Sequence, residues 1–194
     1  MKKFIIILSL VVLSGNVFAQ SLDRKGLIGI SLGPSFPIGD FADNSPSNVN
    51  AGFAEWGINF NPINFGYIFG QYVGISASWF GAAYSANING VDAIWSYGGL
   101  MGGPMLSIPV IEKLDFDLKG MIGFVSATSD LSEYEKNEGT GISFDLGASF
   151  RYNFAKKWCL LISSDYFISN PKLEDGNQKM TAICLSLGIA YRLK

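Results

Sequence analysis

The chain has 194 residues, 48% of them hydrophobic, 15% charged and 14% aromatic, and a net charge of −2. That acidic balance excludes a nucleic-acid face, which needs clustered Lys and Arg. With no histidine anywhere, Ser-His-Asp and Cys-His catalysis and most zinc sites are excluded too.

The chain opens with Lys2 and Lys3, then the apolar run Phe4–Leu13 and the small-residue end Val17-Phe18-Ala19. That order is a secretory signal peptide over residues 1–19, so an exported mature chain is expected to begin at Gln20. No Cys follows the cleavage point, which excludes a lipoprotein anchor. Without Lys2 and Lys3 the remainder has 12 basic and 16 acidic residues, a net charge of −4. Residues 20–194 read as one domain, and no apolar run in them is long enough for a transmembrane helix.

The hydrophobicity alternates instead. The first predicted strand, Gly26–Phe36, sets Ile28, Ile30 and Leu32 against Gly29, Ser31 and Gly33, and Pro34 and Pro37 are expected to end it. Pro37–Asn50 is a polar loop. A second strand starts near Ala51, with Ala54, Trp56, Ile58 and Phe60 on one face and Phe53, Glu55, Gly57 and Asn59 on the other. Its parity slips at Asn61-Pro62-Ile63-Asn64, which predicts a bulge. After a turn at 69–72, Tyr72–Ser85 alternates Val73, Ile75, Ala77 and Trp79 with Gly74, Ser76 and Ser78.

Ala86–Ala93 reads as a loop, and Ile94–Pro109 as a strand blurred by Gly98-Gly99 and Gly102-Gly103-Pro104. A turn at Val110–Lys113 precedes Leu114–Ser126, then an acidic loop at Ala127–Thr140. Gly141–Phe154 is the cleanest strand: Ile142, Phe144, Leu146, Ala148, Phe150, Tyr152 and Phe154 alternate with small or charged residues. Strands at Trp158–Ile168 and Met180–Leu193 follow, separated by the polar loop Ser169–Lys179.

Eight such strands predict an all-β, antiparallel, up-and-down transmembrane β-barrel. Long polar loops alternate with short turns near 70, 111 and 155, the asymmetry of external loops and periplasmic turns. A soluble lipocalin-type barrel has the opposite parity. Its exterior would carry Lys, Glu and Thr, whereas the polar faces here are mostly Gly, Ser and Ala, the sizes a narrow lumen needs. The charged residues on those faces form a predicted lumen network: Glu55, Asp115, Asp117, Lys119, Asp145, Arg151, Asp165 and Arg192. Antiparallel registry puts Arg151 opposite Asp115 or Asp117, and Lys119 near Gly147 or Ser149.

Gly33-Pro34-Ser35-Phe36-Pro37-Ile38-Gly39-Asp40-Phe41, Gly66-Tyr67 and the terminal Leu187-Gly188-Ile189-Ala190-Tyr191-Arg192-Leu193 resemble the small outer-membrane β-barrel domain common in Bacteroidetes. The likeness covers the mature chain and extends distantly to eight-stranded barrels of OmpA and OmpX type. It implies a porin-like outer-membrane protein of a Gram-negative bacterium, surrounded by lipid and lipopolysaccharide and inserted by the barrel-assembly machinery, with a monomer expected. Many such barrels end on an aromatic residue, whereas this sequence ends Tyr191-Arg192-Leu193-Lys194, which shifts recognition to Tyr191 and the alternating Leu/Ile set.

Paired Asp115 and Asp117 could act as acid and base, but partnership with Arg151 and Lys119 is the simpler role. No phosphate-cradling loop or metal-ligand spacing occurs, and no enzyme activity, cofactor or metal is expected. Asp130, Glu133, Glu135 and Glu138 lack cation-ligand spacing and read as a solvated face. Registry sets Cys159 opposite about position 189, so Cys184 lies roughly five residues, ~17 Å, along the strand. A disulfide needs Cα atoms within ~7 Å, so two free lumen-facing thiols are expected.

Two functions fit. One is a filled barrel serving as a structural or surface-interaction scaffold through its loops. The other is a narrow channel or carrier for small, even hydrophobic, solutes, with Asn61-Pro62 and Gly98–Pro104 as gates if they are not ordinary bulges.

Overall fold

A computed structural model describes residues 25–88, 90–131, 137–174 and 176–194. The expected signal peptide, residues 1–19, and loop residues Glu133 and Glu135 lie outside the described residues. Eight long strands run β1 (Gly26–Pro37), β2 (Ala54–Ile68), β3 (Val73–Ile88), β4 (Val91–Ile111), β5 (Leu114–Leu131), β6 (Asn137–Tyr152), β7 (Trp158–Ser169) and β8 (Met180–Leu193). Each pairs antiparallel with the next, and β1 pairs with β8 from Gly26↔Leu193 to Pro37↔Ala182. The sheet therefore closes, and no long strand is left with an open edge. A two-residue ladder, Lys172–Leu173 with Gly176–Asn177, decorates the β7–β8 connection and touches β6.

Alternation decides which way each side chain points. Ile28, Ile30 and Leu32 on β1, Ile142, Phe144 and Leu146 on β6, and Ile183, Leu185, Leu187 and Ile189 on β8 are all exposed, and Phe124 on β5 is 77% exposed. Ser31, Ser35, Ser76, Ser78, Ser107, Ser143 and Ser186 face inward and are buried. The outside is apolar and the buried serines are turned inward, the reverse of a soluble barrel. In water, burying each such side chain is worth about 1.5–3 kcal/mol, so a continuous exposed belt of them needs an apolar solvent around it. At the short-turn end the belt carries aromatic pairs, Tyr67 with Phe69 at 5.8 Å and Trp158 with Tyr191 at 5.4 Å.

Several boundaries differ from the sequence expectations. Pro34 does not end β1: it sits opposite Ile58 and the strand runs on to Pro37. Residues 86–88 and 91–93 are not loop but a continuing ladder, Ala86↔Ala93, Asn87↔Asp92 and Ile88↔Val91. Likewise β5 and β6 stay paired up to Ser129↔Asn137, which shortens the 127–140 loop from both sides. The polar composition there reports strands that stand clear of the apolar belt, not strands that end. The slip at 61–64 is a register shift between Phe60 and Ile63, as alternation predicts. Gly98–Pro104 carries no shift at all against β3: Gly98 pairs with Gly81 and Pro104 with Ile75 in one unbroken register. The glycines blurred the pattern only because they have no side chain to show a face.

Candidate functional site

The interior is filled in two layers. Near the short turns it is ionic. Arg151, only 4% exposed, places Nη2 at 3.2 Å from Asp115 Oδ2 and 3.3 Å from Asp117 Oδ1, and donates to Ser107 Oγ at 2.8 Å. Registry causes this. Asp115 is opposite Arg151 across β5–β6, Asp117 is the next inward residue, and Ser107 faces Asp117 from β4. Asn153 Nδ2 adds a bond of 2.8 Å to Asp115 Oδ2.

One step deeper, Lys119 Nζ lies 2.8 Å from Asp165 Oδ1, an ion pair by distance whose angle is not that of a hydrogen bond. These residues are not on neighbouring strands. Gly147 of β6 stands between them, opposite Lys119 on one side and Asp165 on the other. A Cβ at 147 would collide with Asp165 Oδ1 and Lys119 Cε, so the missing side chain is the passage through which the pair meets. Gly33 does the same on β1. Opposite it, Asn59 reaches over to Leu185 O at 3.1 Å and accepts from Ser186 Oγ at 2.6 Å.

Asp145 is buried beside this pair. Arg192 is half-buried near the short-turn end, where its backbone N–H donates to Lys157 O at 2.8 Å. Glu55 is a correction: it is exposed on the outside, where Ser85 Oγ approaches its Oε2 at 3.4 Å. The β2–β3 register shifts between Ala54 and Gly57. That extra residue reverses parity, turning Ala54 inward and Glu55 outward.

Toward the long-loop end the interior is aromatic. Tyr84, Trp95, Tyr97, Phe80 and Phe167 occupy inward positions and form one buried cluster with Met101, Met121 and Val125. Tyr97 stacks on Phe167 with ring centroids 4.5 Å apart and planes 11° from parallel. The β1–β2 loop closes the top. A 3₁₀ turn, Gly39–Phe41, drops Phe41, 0% exposed, edge-on against Tyr84 at 5.1 Å and Trp95 at 6.0 Å. Gly39 has φ of +62°, a region that glycine enters without cost. Trp95 Nε1 donates to Gly52 O at 2.8 Å and Gln178 Nε2 to Asn50 O at 3.1 Å, which tie the loop to the rim. Beneath Phe41, Ser35 Oγ, Tyr84 OH and Tyr97 OH form a chain at 2.6 and 2.8 Å.

The sequence reading missed this plug. Its signal was available: Phe41 is the one aromatic in a loop rich in Asp, Asn, Ser and Pro, and counting parity on from Ser78 would have turned Phe80 and Tyr84 inward. Outside the barrel the same loop is rigidified. Asp43 accepts from Ser45 N at 2.9 Å and Asn48 Nδ2 at 2.7 Å. The Asn48 bond, then the Ser45 backbone bond, holds the Asp43 carboxyl below the usual carboxylate range.

Both thiols are free and buried, with Cys159 opposite Ala190 and Cys184 opposite Asp165, as registry predicts. What space remains inside is small. A cavity of about 30 Å³ lies between Asn61, Ser78, Lys119, Asp145 and Asp165, and one of about 40 Å³ beside Ser31, Ser76 and Asp117. Each has room for roughly one water, whose share of liquid volume is ~30 Å³. Among the described residues no group of three or more His, Cys, Asp or Glu gathers as metal ligands.

No protein-family model and no curated protein matches the chain. Solved structures do. The attachment invasion locus protein Ail of Yersinia pestis, in complex with the heparin analogue sucrose octasulfate, superposes with a TM-score of 0.53 at 17% identity, over 87% of this chain and 99% of that one. Neisserial surface protein A superposes with a TM-score of 0.60 at 12% identity, over 87% of this chain and 97% of that one. At such identities the likeness is one of fold: this chain is a closed eight-stranded antiparallel barrel of the kind found among outer-membrane proteins.

Proposed function

We propose that the protein is an integral outer-membrane barrel, exported through its signal peptide, whose filled lumen makes it a scaffold for its external loops. The exposed apolar belt supports insertion, with outer-membrane lipid and lipopolysaccharide as its surroundings and the barrel-assembly machinery as its route in. One observation carries the scaffold reading: the interior is closed twice, by the Phe41 aromatic layer and by the Arg151 ionic layer, with cavities of about 30 and 40 Å³ among the side chains. A channel would have to open both. The loop that does the outer closing also presents an ordered polar surface around Asp43 and Asn48, as an interaction surface requires. Asp40, Asp43, Asp92, Asp130, Glu138 and Glu174 on the exposed connections and strand ends make that surface acidic. A cationic partner suits it better than a polysulfated one of the kind bound by Ail.

Planar-bilayer recording tests the reading. The folded protein is expected to give no steady conductance. Steady openings would establish the channel instead. Heat-modifiable migration of the detergent-extracted protein checks the membrane barrel itself.

A further inference from the structure

The interior charges do not balance layer by layer. At the short-turn end Asp115 and Asp117 are both held by Arg151. In the central group Asp145 and Asp165 face a single cation, Lys119, and that cation is 2.8 Å from Asp165. One negative charge is left over on Asp145, which is 8% exposed and whose Oδ1 is buried with no hydrogen-bond partner. An isolated carboxylate in such a place is costly by far more than one hydrogen bond. Beside it lies the cavity of about 30 Å³, whose wall also includes Asp165, Asn61, Ser78 and Lys119. The Asn59 side-chain oxygen, also at this cavity, is already taken by Ser186.

We propose that this cavity is a binding site for one monovalent metal cation of sodium or potassium size. Charge selects the valence, because one positive charge neutralises the group and two would invert it. Oxygen donors and no thiolate or imidazole suit a hard cation. A water in the cavity would satisfy the Asp145 oxygen but leave the charge. The cation would lock β2, β3, β6 and β7 together at mid-barrel, whether the barrel is a scaffold or a channel.

Urea unfolding of the barrel in neutral lipid vesicles tests this, with sodium or potassium chloride compared with N-methyl-D-glucamine chloride at equal ionic strength and pH. That bulky organic cation cannot enter the cavity. With a metal cation at about 100 times its dissociation constant, the folding equilibrium constant is expected to rise ~100-fold. The rise should vanish in Asp145→Asn and persist in Asp130→Asn, whose side chain is exposed. Equal midpoints in all three salts overturn the site, as does a metal-ion effect retained in Asp145→Asn. Stability that follows pH but not cation identity assigns the neutralising charge to a proton and also overturns it. Should Asp145→Asn fail to fold, rubidium-soaked crystals of the unaltered protein decide: an anomalous peak against Asp145 Oδ1 is expected, and its absence refutes the site.

Discussion

The two halves of the lumen solve one problem, filling a narrow tube, with opposite chemistry. The long-loop half is packed like a protein core, with stacked and edge-on rings around Phe41, Tyr97 and Phe167. The short-turn half is a lattice of ion pairs in which each member fixes the others' charge. The aromatic half gains from each contact separately, through burial and dispersion. The ionic half gains little net, because desolvation offsets the Coulomb attraction, yet it is intolerant of losing one partner. Inward positions alternate with outward ones in both halves, so position along the axis, not face, decides the chemistry.

The sharpest way to break that contrast is Arg151→Met. It strands two carboxylates, Asp115 and Asp117, and is expected to cost about 3–5 kcal/mol in urea unfolding from vesicles. Adding Asp115→Asn and Asp117→Asn should recover most of that loss, since a neutral layer has no charge to strand. A triple variant as unstable as the single one would mean that Arg151 acts through packing. Next in size, Phe41→Ala is expected to cost about 3 kcal/mol, low in the range for truncating a buried Phe because the loop can settle inward. It should still give no conductance, because the ionic layer remains shut. Conductance in Phe41→Ala alone would show that the lower layer is not a seal.

Alternation carries most of the fold in the sequence: the strand count, the closure and the outward face all follow from period two. The ionic layer was legible for the same reason, since registry across one hairpin predicts the Arg151 contacts and the separation of Cys159 from Cys184. Three things were not. Glu55 needed the bulge between Ala54 and Gly57, and a single extra residue leaves no mark in a pattern where Ala54 fits either face. The pairing of Lys119 with Asp165 needed three strands at once, with Gly147 recognised as a gap rather than a weak strand residue. Phe41 escaped because loops are read by composition, and one buried ring among polar neighbours does not shift a composition.

The smallest expected effect separates packing from polar bonding inside the aromatic half. Tyr84 is both a wall of the Phe41 site and the centre of the Ser35–Tyr84–Tyr97 hydroxyl chain. Tyr84→Phe keeps the ring and deletes the bonds. Both outer hydroxyls lose a partner, but Ser35 Oγ keeps Cys184 Sγ at 3.1 Å, so little is left unsatisfied there. The expected cost is therefore about 1 kcal/mol, that of an ordinary hydrogen bond, well below that of Phe41→Ala in the same urea series. If the two costs came out equal, the hydroxyl chain would be holding the plug in place. The long-loop half would then depend on a polar network as the short-turn half does, and the contrast between them would be one of charge alone.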